Sequence, residues 1–169
     1  MSIIAGIDGS TSKTGIAIFK NGKYVDHTLI DYHKLTSFED RFPEMTRDIM
    51  SYLEKWDVDK IIMEKSVLKS NIDTVQKLSM LAGAIMYYAV SNGIEFKNPV
   101  PTEWRKIIGL SQGRTKREIL KAEAIKAVQI TYGFDVTDDE AEAILIARSG
   151  FDLPKINITS DDVADEVWG

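Results

Sequence analysis

The sequence contains no cysteine among its 169 residues. A disulfide framework, a cysteine nucleophile and every zinc site with thiolate ligands are therefore excluded. No apolar run approaches the roughly 18–20 residues that span a bilayer. The first residues also lack the basic stretch of a signal peptide. We therefore expect a cytoplasmic protein with no membrane partner.

Positive charge is in the minority, with 21 Lys and Arg against 26 Asp and Glu and a net charge of −5. This balance at first argues against a nucleic-acid partner. The charge is unevenly distributed, however, because residues 97–126 carry +5 and residues 135–169 carry −8. A polyanion responds to the local potential, so the net charge leaves DNA binding open. Both blocks are also compatible with ordinary solvated surface.

Hydrophobic periodicity predicts an α/β protein with the element order βββαβαβααα. The Asn21-Gly22 dipeptide is typical of a type I′ hairpin, so the first three strands should form an antiparallel meander. Strands are predicted at 3–7, 15–19, 23–31, 58–63 and 94–96, and helices at 38–56, 71–92, 102–108, 116–131 and 138–148. Residues 1–151 are expected to form one domain, followed by a flexible acidic tail over residues 152–169.

Four carboxylates are predicted to converge on one rim of this sheet. Asp8 and Glu64 each follow a buried strand at its carboxyl end, where α/β proteins place their chemistry. Asp139 and Glu142 are three residues apart on the last helix and so share one face. Alternatives exist for two of these positions. Asp8 suits an ordinary turn, and residues 137–140 form a capping box that explains acidic residues near the helix start.

Glu142 is less well explained by capping, because it borders the apolar run 143–147. A carboxylate that is buried there needs a partner or a cation. Hard, oxygen-seeking cations fit such a set, with Mg²⁺ expected and Mn²⁺ as a substitute. Two such ions could bind the attacking water and the leaving oxygen of a phosphodiester. His27 and His33 lie away from this rim and are not expected to be ligands.

The order of elements and acids resembles the RNase H-like nucleases. More closely, the chain is similar to the RuvC family of Holliday-junction resolvases, especially its phage-encoded members. The similarity covers residues 3–150. The matching segments are Gly6-Ile7-Asp8-Gly9-Ser10 with Thr14-Gly15, Ile62-Met63-Glu64, the helix from Asn71, Ile107-Ile108-Gly109, Lys116 and the segment from Asp139 to Ala147.

The resemblance implies a mixed five-stranded sheet flanked by helices. It also implies that Asp8, Glu64, Asp139 and Glu142 hold two Mg²⁺ ions, and that Lys116 contacts the scissile phosphate region. Members of this family act as homodimers on branched DNA, and the dimer contact corresponds to the 71–92 helix. A phage-encoded member would work in the cytoplasm of a bacterial host.

DNA contacts are expected mainly from the basic block around Trp104. The expected contact residues are Ser10, Leu68, Arg105, Lys106, Arg114, Lys116 and Arg117. Three departures from the family pattern are visible. Glu142 stands where an aspartate is usual, Val67 or Leu68 replaces a frequent aromatic residue, and Trp104 occupies the place of a basic residue.

Two alternative functions remain open at this point. Residues 6–15 also resemble the first phosphate motif of sugar kinases and actin-like ATPases. That fold repeats its core and needs a second glycine-rich loop, for which 169 residues leave no room. The other alternative is a non-catalytic module that binds DNA junctions through a vestigial site.

Overall fold

A computed structural model describes residues 1–67, 71–112 and 115–168, except for the side chains of Asp165, Glu166 and Trp168. The strands are β1 (Ile3–Gly9), β2 (Lys13–Lys20), β3 (Lys23–Asp31), β4 (Lys60–Met63) and β5 (Glu95–Lys97). The helices are α1 (Phe38–Trp56), α2 (Ile72–Ser91), α3 (Pro101–Ile108), α4 (Arg117–Tyr132), α5 (Asp138–Arg148) and α6 (Ser160–Trp168).

The five strands form one mixed sheet in the order β3-β2-β1-β4-β5. β1, β2 and β3 are an antiparallel meander, whereas β4 runs parallel to β1 and β5 runs parallel to β4. Asn21 and Gly22 both have positive φ, as the type I′ turn between β2 and β3 requires. The predicted five-stranded mixed sheet is therefore confirmed.

The sheet separates two apolar cores, and side chains alternate between them along each strand. In β1, Ile4 packs in the core that α3, α4 and α5 cover, whereas Ile7 packs in the core beneath α1 and α2. β4 repeats the pattern, with Ile62 on the α5 side and Ile61 on the α1 side. This alternation decides which face of the sheet each polar strand residue occupies.

The predicted flexible tail was wrong for much of its length. The amide of Ile156 donates a hydrogen bond to the carbonyl of Ile108 at 2.8 Å, and its side chain is buried in the core beneath α5. Residues 160–168 form α6, which packs against α4 and buries Val163. The few apolar residues of this acidic segment are thus enough to attach it to the domain.

The start of α3 also differs from the prediction. The helix begins at Pro101, one residue before the predicted start at Thr102. Proline is well tolerated there because its missing N–H would have no helical partner. The Glu103 carboxylate accepts a hydrogen bond from the Val100 amide at 3.1 Å, which satisfies a backbone donor at this end. Among the helices of the described ranges, none is both long and apolar enough to cross a bilayer.

Candidate metal centre

The ends of two parallel strands bring Asp8 and Glu64 together. β1 and β4 pair in register, with Ile7 opposite Met63, and the Glu64 amide donates to the Ile7 carbonyl at 3.1 Å. Alternation puts Asp8 on the same face as Ile4, and Glu64 on the same face as Ile62. Both carboxylates therefore lie on the side of the sheet that α5 covers.

α5 reaches these strands because two glycines let its backbone come close. A Cβ on Gly6 would lie 2.3 Å from the carbonyl oxygen of Ala143, and a Cβ on Gly15 would lie 2.3 Å from that of Asp139. Any side chain at either position would collide with backbone atoms. Gly15 also pairs directly with Asp8 across the β1–β2 ladder. The absence of a Cβ at these positions thus brings the acidic end of α5 onto the strand end that carries Asp8.

Asp8, Glu64 and Glu142 form a compact carboxylate cluster. Each offers one oxygen, and these oxygens all lie within 4.8 Å of one another. Asp139 is not part of this tight group, although its charge raises the pKa of Asp8. The structure therefore brings three of the four predicted acids together and places the fourth, half-buried, one turn earlier on α5.

The negative charge of the carboxylate cluster is only partly offset by nearby positive side chains. Burial and repulsion from Glu142 and Glu64 raise the pKa of Asp8 well above its usual range. Burial also raises the pKa of Glu142, although its hydrogen bond with Asp8 and the nearby Arg105 partly offset this. Burial and the neighbouring Asp138 raise the pKa of Asp139. Such a set fits a cation, since a hard cation would supply the positive charge that the carboxylates need.

Two adjacent residues of α3 contact the cluster, and the sequence analysis missed both contacts. The indole N–H of Trp104 donates to Oε2 of Glu64 at 2.6 Å. The Nη1 atom of Arg105 lies 3.9 Å from Oε1 of Glu142. Neither could be found from sequence spacing, because Trp104 and Glu64 are 40 residues apart.

Arg105 corrects one predicted DNA contact. Its side chain is only 3% exposed, so it cannot lie on a DNA-binding surface. Its Nε donates to the Ser111 carbonyl at 2.7 Å, and its Nη2 lies 3.5 Å from the buried Glu123 carboxylate. The amide of Ser111 in turn donates to Glu123 at 2.6 Å. Arg105 therefore links α3, the segment after it and α4 inside the protein.

The other predicted contact residues differ in their surroundings. Lys106, Lys116 and Arg117 are exposed, with Lys116 directly before the first residue of α4. The Ser10 hydroxyl donates to the Lys13 carbonyl at 2.8 Å and thereby stabilises the β1–β2 turn. Leu68 and Arg114 lie outside the described residues. Lys13, which no sequence motif singles out, lies close enough to Asp139 that its charge, with those of Lys121 and Arg117, partly offsets the raised pKa of Asp139.

Comparison with known proteins shows to which family the chain that carries this site belongs. A model of the family described as crossover junction endodeoxyribonuclease RuvC matches residues 4–148, which include all four acids. The chain belongs to the RuvC family. The predicted family resemblance is thereby confirmed, while membership of the phage-encoded type stays a prediction.

Relatives in this family match this RuvC-family chain over nearly their whole length. It is 26% identical to the crossover junction endodeoxyribonuclease RuvC of Bdellovibrio bacteriovorus over 149 residues, which cover 86% of this chain and 87% of the relative. The protein of the same description from Prochlorococcus marinus is 25% identical over 163 residues, or 91% and 96% of the two chains.

Solved structures agree with this RuvC assignment at the level of the fold. The RuvC of T. thermophilus, in complex with a Holliday junction substrate, has a TM-score of 0.70 at 14% identity, over 88% of this chain and 92% of that chain. The yeast mitochondrial Holliday junction resolvase Ydc2 has a TM-score of 0.52 at 15% identity, over 88% and 77%. These similarities confirm the predicted RNase H-like fold.

Proposed function

We propose that this chain is a divalent-metal-dependent endonuclease that resolves Holliday junctions and cuts related branched DNA. The observation that carries the proposal is the cluster of Asp8, Glu64 and Glu142, whose oxygens lie within 4.8 Å of one another at the rim of the sheet. Family membership supports the reaction class, and the cluster supplies ligands of the kind that Mg²⁺ prefers.

Asp8, Glu64, Asp139 and Glu142 are the residues that would hold Mg²⁺ or, as a substitute, Mn²⁺. Two such cations, when bound, supply Lewis-acid stabilisation to the phosphodiester that undergoes hydrolysis. The protein's own part is to hold the ligands and manage their protons. Burial raises the pKa values of Asp8 and Glu142, and repulsion from Glu142 and Glu64 raises that of Asp8 further. Protons therefore compete with the cation for these oxygens, so we expect cation affinity to increase with pH.

Exposed cations at the start of α4 supply the proposed contacts to the DNA backbone. Lys116 and Arg117 precede and open α4, and the charge of Arg117 partly offsets the raised pKa of Asp139. Phosphate contacts of this kind position the nucleic acid without reading its sequence. We assign Lys116 to the region of the scissile phosphate, where its charge would favour the developing negative charge of the transition state.

We also propose that two copies associate through α2. One face of this helix buries Leu81, Ile85 and Ala89, while the opposite face exposes an apolar stripe. The exposed apolar residues of α2 are Ile72, Met80, Met86, Tyr87 and Val90. At Gly83, on this side, a Cβ would meet nothing within 4 Å, so a second helix has room to approach closely. A homodimer would present two sites to the two strands of a four-way junction.

Neutral variants of the acids test the site assignment. Glu64→Gln and Glu142→Gln should each reduce the cleavage rate of a synthetic four-way junction by at least about 100-fold, because an amide is a poorer ligand for a hard cation. Asp161→Asn, which changes an exposed acid of α6, is the matched control and should cleave normally. Cleavage at the wild-type rate by either glutamine variant would refute the assignment.

A further inference from the structure

Trp104 is a fully buried aromatic residue that contacts the proposed metal centre. Only 1% of its surface is exposed, and it packs in the core that contains Ile4 and Ile62. Its indole N–H points to the Glu64 carboxylate, with Nε1 2.6 Å from Oε2. An indole has a single donor in the plane of the ring. Because the ring is enclosed by the core, the direction of that donor is fixed.

Hydrogen bonds to neighbouring segments fix the backbone around Glu64. The Glu64 amide donates to Ile7 at 3.1 Å, and the next amide, of Lys65, donates to the Pro99 carbonyl at 2.8 Å. The side-chain amide of Asn98 donates to the Met63 carbonyl at 2.7 Å. The Glu64 side chain adds three rotatable torsions to this fixed backbone. The hydrogen bond from Trp104 restricts their rotation at the carboxylate.

A neutral donor is well suited to this position. A lysine or arginine within hydrogen-bond distance would neutralise the carboxylate and compete with an incoming cation. The indole N–H orients Oε2 but adds no positive charge, so the cluster keeps its attraction for a divalent ion. Metal-binding residues in proteins are commonly oriented by such hydrogen-bond donors behind them.

We propose that Trp104 is a positioning residue that orients the Glu64 carboxylate for divalent-cation binding. The inference rests on the proposed function, since it takes Glu64 to be a ligand. α3 is anchored well enough to serve this purpose, because the amide of Ile156 donates to Ile108 at its end and Arg105 ties it to Ser111. Because Trp104 is fixed in the core, its hydrogen bond restricts the orientation of the Glu64 carboxylate.

The test compares two tryptophan variants. Trp104→Phe removes the N–H donor and keeps an aromatic ring, while Trp56→Phe makes the same change in the opposite core, at the end of α1. Mn²⁺ binding is measured by the electron paramagnetic resonance signal of the free ion, which does not depend on catalysis. Trp104→Phe should raise the half-saturating Mn²⁺ concentration about tenfold. Trp56→Phe should leave it unchanged.

Fluorescence supplies a second readout. Addition of Mg²⁺ should change the tryptophan emission of the wild type and of Trp56→Phe, and most of this change should be lost in Trp104→Phe. If Trp104→Phe does not fold, 3-benzothienylalanine introduced at position 104 keeps the shape of the indole and replaces its N–H by sulfur. That substitution should give the same tenfold loss of affinity with a normal melting temperature.

Wild-type Mn²⁺ affinity in a folded variant that lacks the donor would overturn the inference. Glu64→Gln separates this failure from failure of the proposed function. If Glu64→Gln loses Mn²⁺ binding and junction cleavage while the Trp104 variants keep both, the site stands and the positioning role is wrong. If Glu64→Gln also keeps both, Glu64 is not a ligand, so the site assignment and the positioning role of Trp104 both fail while the junction-cleaving function stands. That function fails only if the wild type itself cuts no branched DNA in Mg²⁺ or Mn²⁺.

Discussion

Asp8 is a buried carboxylate that faces two others across less than 5 Å of space, and this arrangement costs stability in the absence of a cation. Burial disfavours its charged form, and the charges of Glu142 and Glu64 disfavour it further. Residues with such perturbed pKa values cluster at functional sites, where a residue that the reaction needs can lower the stability of the fold. The same residue should therefore weaken the metal-free fold and strengthen the metal-bound one.

The pH dependence of stability follows from the sign of this shift. The pKa of Asp8 is higher in the folded than in the unfolded protein, so the folded state takes up its proton first as the pH falls. In EDTA, the contribution of Asp8 is unfavourable above the folded pKa. This penalty is relieved as the pH falls through the folded pKa and is gone below the unfolded pKa of about 3.9.

Asp8→Asn should therefore melt at a higher temperature than the wild type in EDTA at pH 7, with the difference shrinking as the pH is lowered toward the unfolded pKa. Mg²⁺ at a hundredfold its dissociation constant should stabilise the wild type by about 2.7 kcal/mol and the variant much less. Thermal melting with and without Mg²⁺ measures both effects, with Asp161→Asn as the control. A lower melting temperature of Asp8→Asn in EDTA would show that Asp8 stabilises the metal-free fold.

At this scale the sequence predicts the positions of the clustered acids better than it predicts the residues that contact them. Asp8 and Glu64 were predictable because each ends an apolar strand, and parallel strands end at one rim. The hydrogen bond from Trp104 was not, because it depends on how α3 packs. Arg105 was assigned to the surface from its charge alone, whereas the buried Glu123 holds it inside the protein.

At the scale of elements, the decisive contact is that of α5 with β1 and β2. The helix carries Asp139 and Glu142, and it approaches the sheet at Gly6 and Gly15 more closely than a side chain would allow. The helix depth, and with it the reach of Glu142 toward Asp8, depends on these two positions. Glu142 is one methylene longer than the aspartate that is usual in the family. The close approach of the α5 backbone to the sheet therefore decides where its carboxylate lies.

Gly15→Ala should destabilise the protein by about 3 kcal/mol, because the new methyl group would lie 2.3 Å from the Asp139 carbonyl oxygen. Gly9→Ala, in the same pair of strands, is the control, since its Cβ would meet only the flexible side-chain ends of Leu81 and Met63 at 3.1 Å. Its cost should be about 1 kcal/mol or less. Urea unfolding measures both, and equal midpoints would contradict the close-approach argument.

The sequence predicts helices correctly where apolar residues recur at helical spacing, and it misses a helix where apolar residues are few. α1, predicted over 38–56, extends over Phe38–Trp56, because its apolar residues recur at helical spacing. α6 was missed because Val163 stands among acidic residues and gives no such period. α6 packs against α4, and a local sequence pattern cannot show a contact between two separate helices.

At the scale of the whole molecule, charge and apolar surface lie on different parts of the protein. The net charge of −5 includes the four acids of the candidate metal centre, so two bound divalent ions would almost cancel it. Residues 78–91 of α2, in contrast, include no charged residue, and they expose apolar surface: Tyr87 is 76% exposed and Val90 lies one turn away. Exposed apolar patches of this kind mark interaction sites.

Val90→Glu should weaken the proposed dimer by placing a charge in its interface. We expect the dimer dissociation constant to rise at least tenfold, equivalent to about 1.4 kcal/mol. Ile130→Glu places the same charge on the exposed side of α4 and is the control. Sedimentation velocity over a range of concentrations distinguishes the two. A wild type that stays monomeric, or a Val90→Glu variant that dimerises normally, would contradict the α2 interface.

Cleavage of a panel of end-labelled DNAs, with and without Mg²⁺, tests the proposed function most directly. The panel contains a four-way junction, a fork, a flap and a linear duplex of matched sequence. We predict paired nicks in opposite strands of the four-way junction with Mg²⁺, little cleavage of the linear duplex, and none of any substrate in EDTA. Folded protein that binds the junction but cuts no branched substrate in Mg²⁺ or Mn²⁺ would contradict the proposal.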